Sequence, residues 1–561
     1  MTGSYYDLGS YTRTVSTTST EAQTWFDRGL LWCYAYNHDE SVRCFERAAG
    51  LDSDCAMAHW GVAYASGCNY NKPWEAFLEE ERAAALARSR AALRRALETS
   101  AGAKPVERAL ITALVARYPE HETEGDTGSL PFQAWNDAYA AAMRGVYNEF
   151  GHDPDVATLF AEALINRTPW QLWDLPSGLP KEGADTLEAA KVLEDAMAQR
   201  DRSSKPAHPG LVHMYIHTME MSPTPEKALR AADKLRDLVP DAGHLRHMAS
   251  HIDVLCGDYY HSLVANERAM EADDRYFARE EEAAFYTLYR CHNIHFKLYS
   301  AMFLAQLEPA LAAAAALEAA VSERLLRVEV PPMADWLEGF LSMKVHALIR
   351  FGRWAELLAE PFPHDPDLYS VTNAMLRYGR GVALAATGDV AGAEAERTLF
   401  QQAVARVPET RTVFNNRCLD ILAVAAAMLD GELEYRKGNV DAAFAHLRSS
   451  VALDDAMPYD EPWAWMQPVR HALGALLLEQ GRVEEALETY RDDLGLSSKL
   501  PRALQHPGNV WSLHGYVECL DRLGRTEEAL AARPALALAK ARADVPIEAS
   551  CFCRLDKHCC D

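Results

Sequence analysis

Apolar and small residues recur along most of the chain at spacings of three and four, the pattern of amphipathic helices, and the helices come in pairs. The first pair opens at Glu21; Gly29 lets its first helix pack closely, and Ser41, Phe45 and Ala48 fill the second. A helix over 56–61 follows, then a loop over 68–74. From 74 to 119 the charged, Ala-rich text predicts a long helical stretch, and 120–130, with Gly, Thr and Asp, a surface loop. Helices resume at Pro131 and run over 155–166, break at Thr168-Pro169-Trp170, and give way to a Pro- and Gly-bearing loop over 176–183.

From Pro209 the pairs fall into register. Ala228, Ser262 and Ala310 are the small residues of three second helices, and His213, His247 and His295 each stand fifteen positions ahead of one of them. His217 and His251 stand eleven ahead, and Tyr299 is their counterpart in the third pair. The motif His213-x-x-x-His217 returns as His247-x-x-x-His251 after 34 residues, the length of one tetratricopeptide (TPR) repeat. Two histidines four apart on a helix share a face, one turn above the other, the usual way a helix offers two imidazoles to one metal ion. Corresponding residues of successive hairpins line one wall, so both pairs are expected to face a single cavity. His295 follows His247 by 48 residues, which places an insertion near 273–284, acidic enough to serve as a lid. Further repeats carry Gly381/Gly388/Ala393, Gly431/Gly438/Ala443 and Gly474/Gly481/Ala486, with His471 fifteen ahead of Ala486, and a closing hairpin spans 511–544.

The predicted fold is all-α, a right-handed superhelical solenoid of TPR-like helical hairpins. Its expected parts are an arm over 1–20, N-terminal repeats with loop insertions over 21–208, a His-rich centre over 209–322, C-terminal repeats over 323–545 and a Cys-rich tail over 546–561.

The repeats resemble the tetratricopeptide superfamily. The segments Asn37-His38-Asp39-Glu40, Gly67-Cys68-Asn69-Tyr70-Asn71, Gly243-His244-Leu245-Arg246-His247-Met248-Ala249-Ser250-His251 and His292-Asn293-Ile294-His295 resemble a largely uncharacterised group of long microbial TPR-domain proteins. That group carries proline where this chain has Ala249, so the helix through His247 and His251 is expected to run straighter here. The resemblance implies a fold and leaves function open, since TPR solenoids usually bind peptides in their concave groove.

A formal charge of −25 argues against nucleic-acid binding, which wants a basic patch. No N-terminal secretion pattern is present, and the longest apolar run, 310–321, is too short to cross a bilayer. The reading is a cytoplasmic protein with no membrane partner; its oligomeric state is open. Eight of twelve cysteines are scattered through helical patterns as reduced core residues. The other four, Cys551, Cys553, Cys559 and Cys560, form with His558 a tail able to bind a soft ion, to act in redox chemistry, or simply to be a mobile end.

Nine of the twenty histidines fall between His208 and His295. The expected metal ligands are His213, His217, His247, His251 and His295, with Glu220 and His292 as catalytic candidates. His244, three before His247, is a ligand, a supporting residue or a helix cap. An imidazole-rich set suits copper or iron, with zinc possible, and excludes magnesium and calcium. No nucleotide loop, serine elbow or flavin fingerprint is present, so chemistry has to come from the metal. The leading function is therefore a metal-dependent oxidoreductase acting on a small-molecule or peptide substrate in the concave groove. Two alternatives stand beside it: a non-catalytic TPR scaffold binding a peptide or protein, with structural zinc or none, and a copper or zinc carrier using the tail. His38, His59, Glu162 and Asn166 take capping or core roles, unless the superhelix curls enough to bring them to the same cavity.

Overall fold

A computed structural model describes residues 5–119, 132–280 and 285–554. The fold is all-α, built of successive helical hairpins, and the only strands among the described residues are the short strands of two hairpins. The chain divides into two compact units, Met1–Ile252 with Glu271–Glu280, and Asp253–Met270 with Glu281–Asp561. The expected loop at 120–130, the end of the 273–284 insertion and His558, Cys559 and Cys560 lie outside the described residues.

In the first unit α1 (Thr20–Tyr34) and α2 (His38–Leu51) form the opening hairpin and α3 (Ala56–Ala65) packs behind them. Phe45 is wedged between Gly29 and Gly61. A Cβ on either glycine would come within 2.7 and 2.4 Å of its ring, so both positions need the bare backbone. The stretch from 74 to 119 is two helices rather than one, α4 (Glu79–Thr99) and α5 (Pro105–Leu114). The break falls at Lys104-Pro105: Pro105 has no N–H to continue a helix and instead opens the next, while the Glu107 carboxylate accepts from the Lys104 N–H at 3.1 Å.

After α6 (Phe132–Phe150) and α7 (Pro154–Ile165), the expected loop at 176–183 includes part of a small antiparallel hairpin, β1 (Trp173–Asp174) with β2 (Leu179–Pro180). Then come α8 (Thr186–Arg202), α9 (Pro209–Met219), α10 (Leu229–Leu235) and α11 (Gly243–His247). The helix expected to run straight through Ala249 instead breaks at Met248, and α12 (Ala249–Leu255) starts anew. Ser250 explains this: its hydroxyl donates to the His247 carbonyl at 2.6 Å, taking an acceptor that a continuous helix would use.

Residues 5–19 contain no helix and are tied to the first unit by side-chain hydrogen bonds. The Tyr5 hydroxyl donates to Glu40 at 2.5 Å and the Tyr11 hydroxyl to Asp155 at 2.7 Å. Arg13 reaches both Asp153 (2.7 Å) and Asp155 (2.6 Å). Asp155 is buried, which alone would raise its pKa; Arg13, with His208 and Tyr34, overrides this and holds the carboxyl well below its usual range.

The second unit continues with α13 (Tyr259–Phe277), which it shares with the first through the last turns, α14 (Tyr286–Phe303) and α15 (Leu307–Ala320). Later pairs are Ser370–Ala386 with Val390–Val404, Cys418–Arg436 with Val440–Asp455, Val469–Glu479 with Val483–Asp493, and Val510–Arg522 with Thr526–Lys540. Gly388, Gly438 and Gly481 end three first helices at φ of 89°, 83° and 71°, the left-handed stop that an L side chain resists. Leu447, Leu476, Tyr490 and Leu520 lie at the centre of the C-terminal core.

The described start of the tail is docked, not loose. Arg350 donates to the Ser550 carbonyl at 2.5 Å, Tyr490 and Ser550 share a hydroxyl hydrogen bond of 2.5 Å, and Arg554 grips Glu518 through two 2.7 Å bonds. Cys551 and Cys553 form a disulfide, and the eight scattered cysteines are not disulfide-bonded, seven of them being buried. No helix among the described residues is long and apolar enough to cross a membrane.

Candidate metal centre

The centre is built from α9, α11 and α12 of the first unit, with a wall from the end of α1. Helix α9 is buried along its whole length, so its two faces cannot be solvated and polar side chains there need partners. His213 and His217 lie one turn apart on it, their Nε2 atoms 3.0 Å from one another. From α11, His244 brings its Nε2 to 3.0 Å from that of His213. These three donors lie within 4.8 Å of one another, and all three residues are buried. Across the Met248 break, His247 and His251 set their Nε2 atoms 2.7 Å apart. The two groups are neighbours: ring centroids are 5.7 Å apart for His217 and His251 and 5.8 Å for His244 and His247.

The opposite ring nitrogens fix the tautomers. His213 Nδ1 is 2.7 Å from the Tyr34 carbonyl, which can only accept, so Nδ1 carries the proton. His217 and His251 turn Nδ1 to the two oxygens of Glu220, at 3.0 and 2.5 Å, and each donates. His247 Nδ1 lies 3.1 Å from Ser250 Oγ, whose own hydrogen goes to the His247 carbonyl, so Nδ1 donates here too. Four imidazoles therefore present a bare Nε2 lone pair inward. Bare lone pairs facing each other at 2.7–3.0 Å repel unless a cation lies between them. A proton is a poor candidate: burial pushes His217 down to about 3, and burial, then the His217 charge, hold His213 well below its usual range against the pull of the Tyr34 carbonyl. A transition-metal ion fits the donor set, with the Nδ1 acceptors as the outer support that ligating histidines ordinarily have.

An aromatic wall encloses the first group. The Tyr36 ring lies 4.6 Å from that of His213 and 5.6 Å from that of His244, and Tyr70 lies 4.8 Å from His217. Trp170 packs on Tyr70 at 4.8 Å and donates its backbone N–H to the Tyr70 hydroxyl. Tyr36 and Trp170 both sit in the left-handed region, at φ 55° and 53°, which costs an ordinary L residue about 1 kcal/mol and here turns each ring onto the wall.

Of the residues expected from sequence, His213, His217, His247, His251 and Glu220 are brought together. Both Glu220 oxygens are engaged by imidazoles. His292 and His295 belong to the second unit; His292 packs against Phe296 and Phe414, and His295 Nε2 lies 2.8 Å from Met466 Sδ. His471 also belongs there, between Arg350 and Asp493. His38 takes a core role beside Asn69, His59 bonds the Ser53 carbonyl, and Glu162 accepts from Asn166 at 3.3 Å while burial pushes its carboxyl up to about 8. His208 caps α9 by accepting from the Leu211 N–H. The sequence reading left His244 undecided, although its place one turn before His247 was a usable signal. Tyr34, Tyr36 and Tyr70 carried none, because they approach from far away in the chain.

No family model and no curated protein matches the chain. Among solved structures, it is similar to the Cut9–Hcn1 hetero-tetramer of the APC/C (13% identity over 86% of this chain and 74% of that one, TM-score 0.29). It is similar also to the human IFIT1 dimer with m7Gppp-AAAA (10% identity, 94% and 92% covered, TM-score 0.31) and to yeast Tom70 (12% identity, 94% and 90% covered, TM-score 0.26).

Proposed function

We propose that the protein is a metal-dependent oxidoreductase of the oxidase or oxygenase type, with copper or iron held by His213, His217 and His244 and a second, neighbouring ion by His247 and His251. The observation that carries this reading is the inward convergence of the Nε2 lone pairs of His213, His217, His247 and His251, whose Nδ1 protons are committed elsewhere. When bound, such an ion supplies one-electron chemistry and oxygen activation that no side chain of this chain offers. Glu220 holds two imidazoles in register and is a positioning residue in this account. Tyr36, Tyr70 and Trp170 keep water from the first group. The substrate is a small molecule or peptide drawn to the concave groove.

The test is redox cycling of protein purified without chelators. Anaerobic reduction followed by readmission of oxygen should give a reversible optical change in wild type that is absent from a His213→Ala, His217→Ala variant. Full burial of every ligand favours a second reading, a closed structural zinc site in a non-catalytic scaffold. That reading predicts stoichiometric zinc, no optical cycling, and loss of cooperative unfolding on chelation.

A further inference from the structure

The second unit contains another group of buried donors that the first centre does not use. His295 on α14, His346 on helix Met343–Arg350 and Met466, just ahead of helix Val469–Glu479, are all fully buried. His295 Nε2 lies 2.8 Å from Met466 Sδ. Helix Met343–Arg350 packs against α14, and a charge on His346 would disfavour one on His295. The surroundings are apolar and aromatic: Phe340 lies 5.4 Å from the His295 ring, and Trp465 4.8 Å from that of His346.

His346 is the anomaly. Neither of its ring nitrogens has a hydrogen-bond partner among the described residues, and His295 Nδ1 has none either. A neutral imidazole carries one donor and one acceptor, and leaving each unmet in a dry interior costs about 1–3 kcal/mol. Packing alone would be served better by a leucine or phenylalanine at 346. Its carbonyl is used, by Gln467 Nε2 at 2.7 Å, so the segment carrying Met466 is tied to the helix carrying His346.

We propose that His295, His346 and Met466 form a second metal site, selective for a soft monovalent d10 cation such as Cu(I). A thioether beside two imidazoles is a soft, uncharged donor set. With no anionic ligand among the three, a dication would keep its full charge in an apolar interior, whereas a monovalent ion carries a far smaller desolvation cost. The site does not depend on the histidines of the first unit.

The test reads Met466 directly. The full-length chain is labelled with 13C at the methionine methyls, and Met466→Leu, a volume-conserving change, assigns the Met466 resonance. Cu(I) is added anaerobically until the free thiols are filled and then beyond. The Met466 methyl should shift in wild type and should not respond to Zn(II). In His346→Gln, whose remaining methionine resonances report the fold, the same response should need at least about tenfold more Cu(I). A Met466 resonance that stays in place once the thiols are saturated, or one that responds equally in His346→Gln, overturns the site. Neither result bears on the first centre, whose metal is read separately.

Discussion

Glu220→Gln is expected to lower metal affinity of the first unit by about 10–100-fold, the range typical for outer-shell partners of ligating histidines. The carboxylate accepts from His217 Nδ1 and His251 Nδ1, one with each oxygen. Glutamine keeps the shape but has a single acceptor; its amide nitrogen donates. One imidazole must then face a donor, lose its Nδ1 proton and carry the hydrogen on Nε2, where it no longer ligates. The variant should retain most of its helicity, since the side chain still fills the same buried space. Competition titration with a chromophoric chelator, beside a circular dichroism spectrum, checks both halves. Unchanged affinity in a folded Glu220→Gln protein would mean that the carboxylate does not set the tautomers.

Acid is expected to destabilise the metal-free protein through His38, a half-buried residue outside the ligand set. Burial, with Arg117 and Lys72 nearby, pushes its imidazole down to about 3 against opposing backbone hydrogen bonds. The unfolded chain takes up that proton near 6.5, so its contribution to stability is complete above about pH 6.5 and falls as pH drops toward 3. Each pH unit in that window costs about 1.4 kcal/mol for one such histidine. Urea unfolding of the metal-free protein at several pH values should therefore show a shallower pH slope in His38→Gln than in wild type, by up to one proton. Parallel slopes would contradict a His38 held neutral in the fold.

The parts of this account that were legible in the sequence are those in which spacing is local. His213 with His217, and His247 with His251, share a face because one helical turn separates them, and 34 residues bring the second pair to the equivalent place in the next hairpin. The fifteen-residue offsets correctly put His213, His247 and His295 in first helices, α9, α11 and α14. What escaped depends on contacts between distant segments or on one hydroxyl. The Tyr34 carbonyl meets His213 from 179 residues away, and nothing in either neighbourhood announces it. Ser250 breaks the helix at Met248 where alanine at 249 suggested continuity, and the break accompanies the 2.7 Å approach of His247 and His251. Lys104-Pro105 was a readable stop that the Ala-rich composition around it masked.

The most direct test of the central claim is the metal content of protein purified without chelators, wild type beside the His217→Ala, His251→Ala double variant. The account predicts near-stoichiometric copper or iron in wild type and its loss from the variant. Wild type without metal, or equal metal in both, would contradict it.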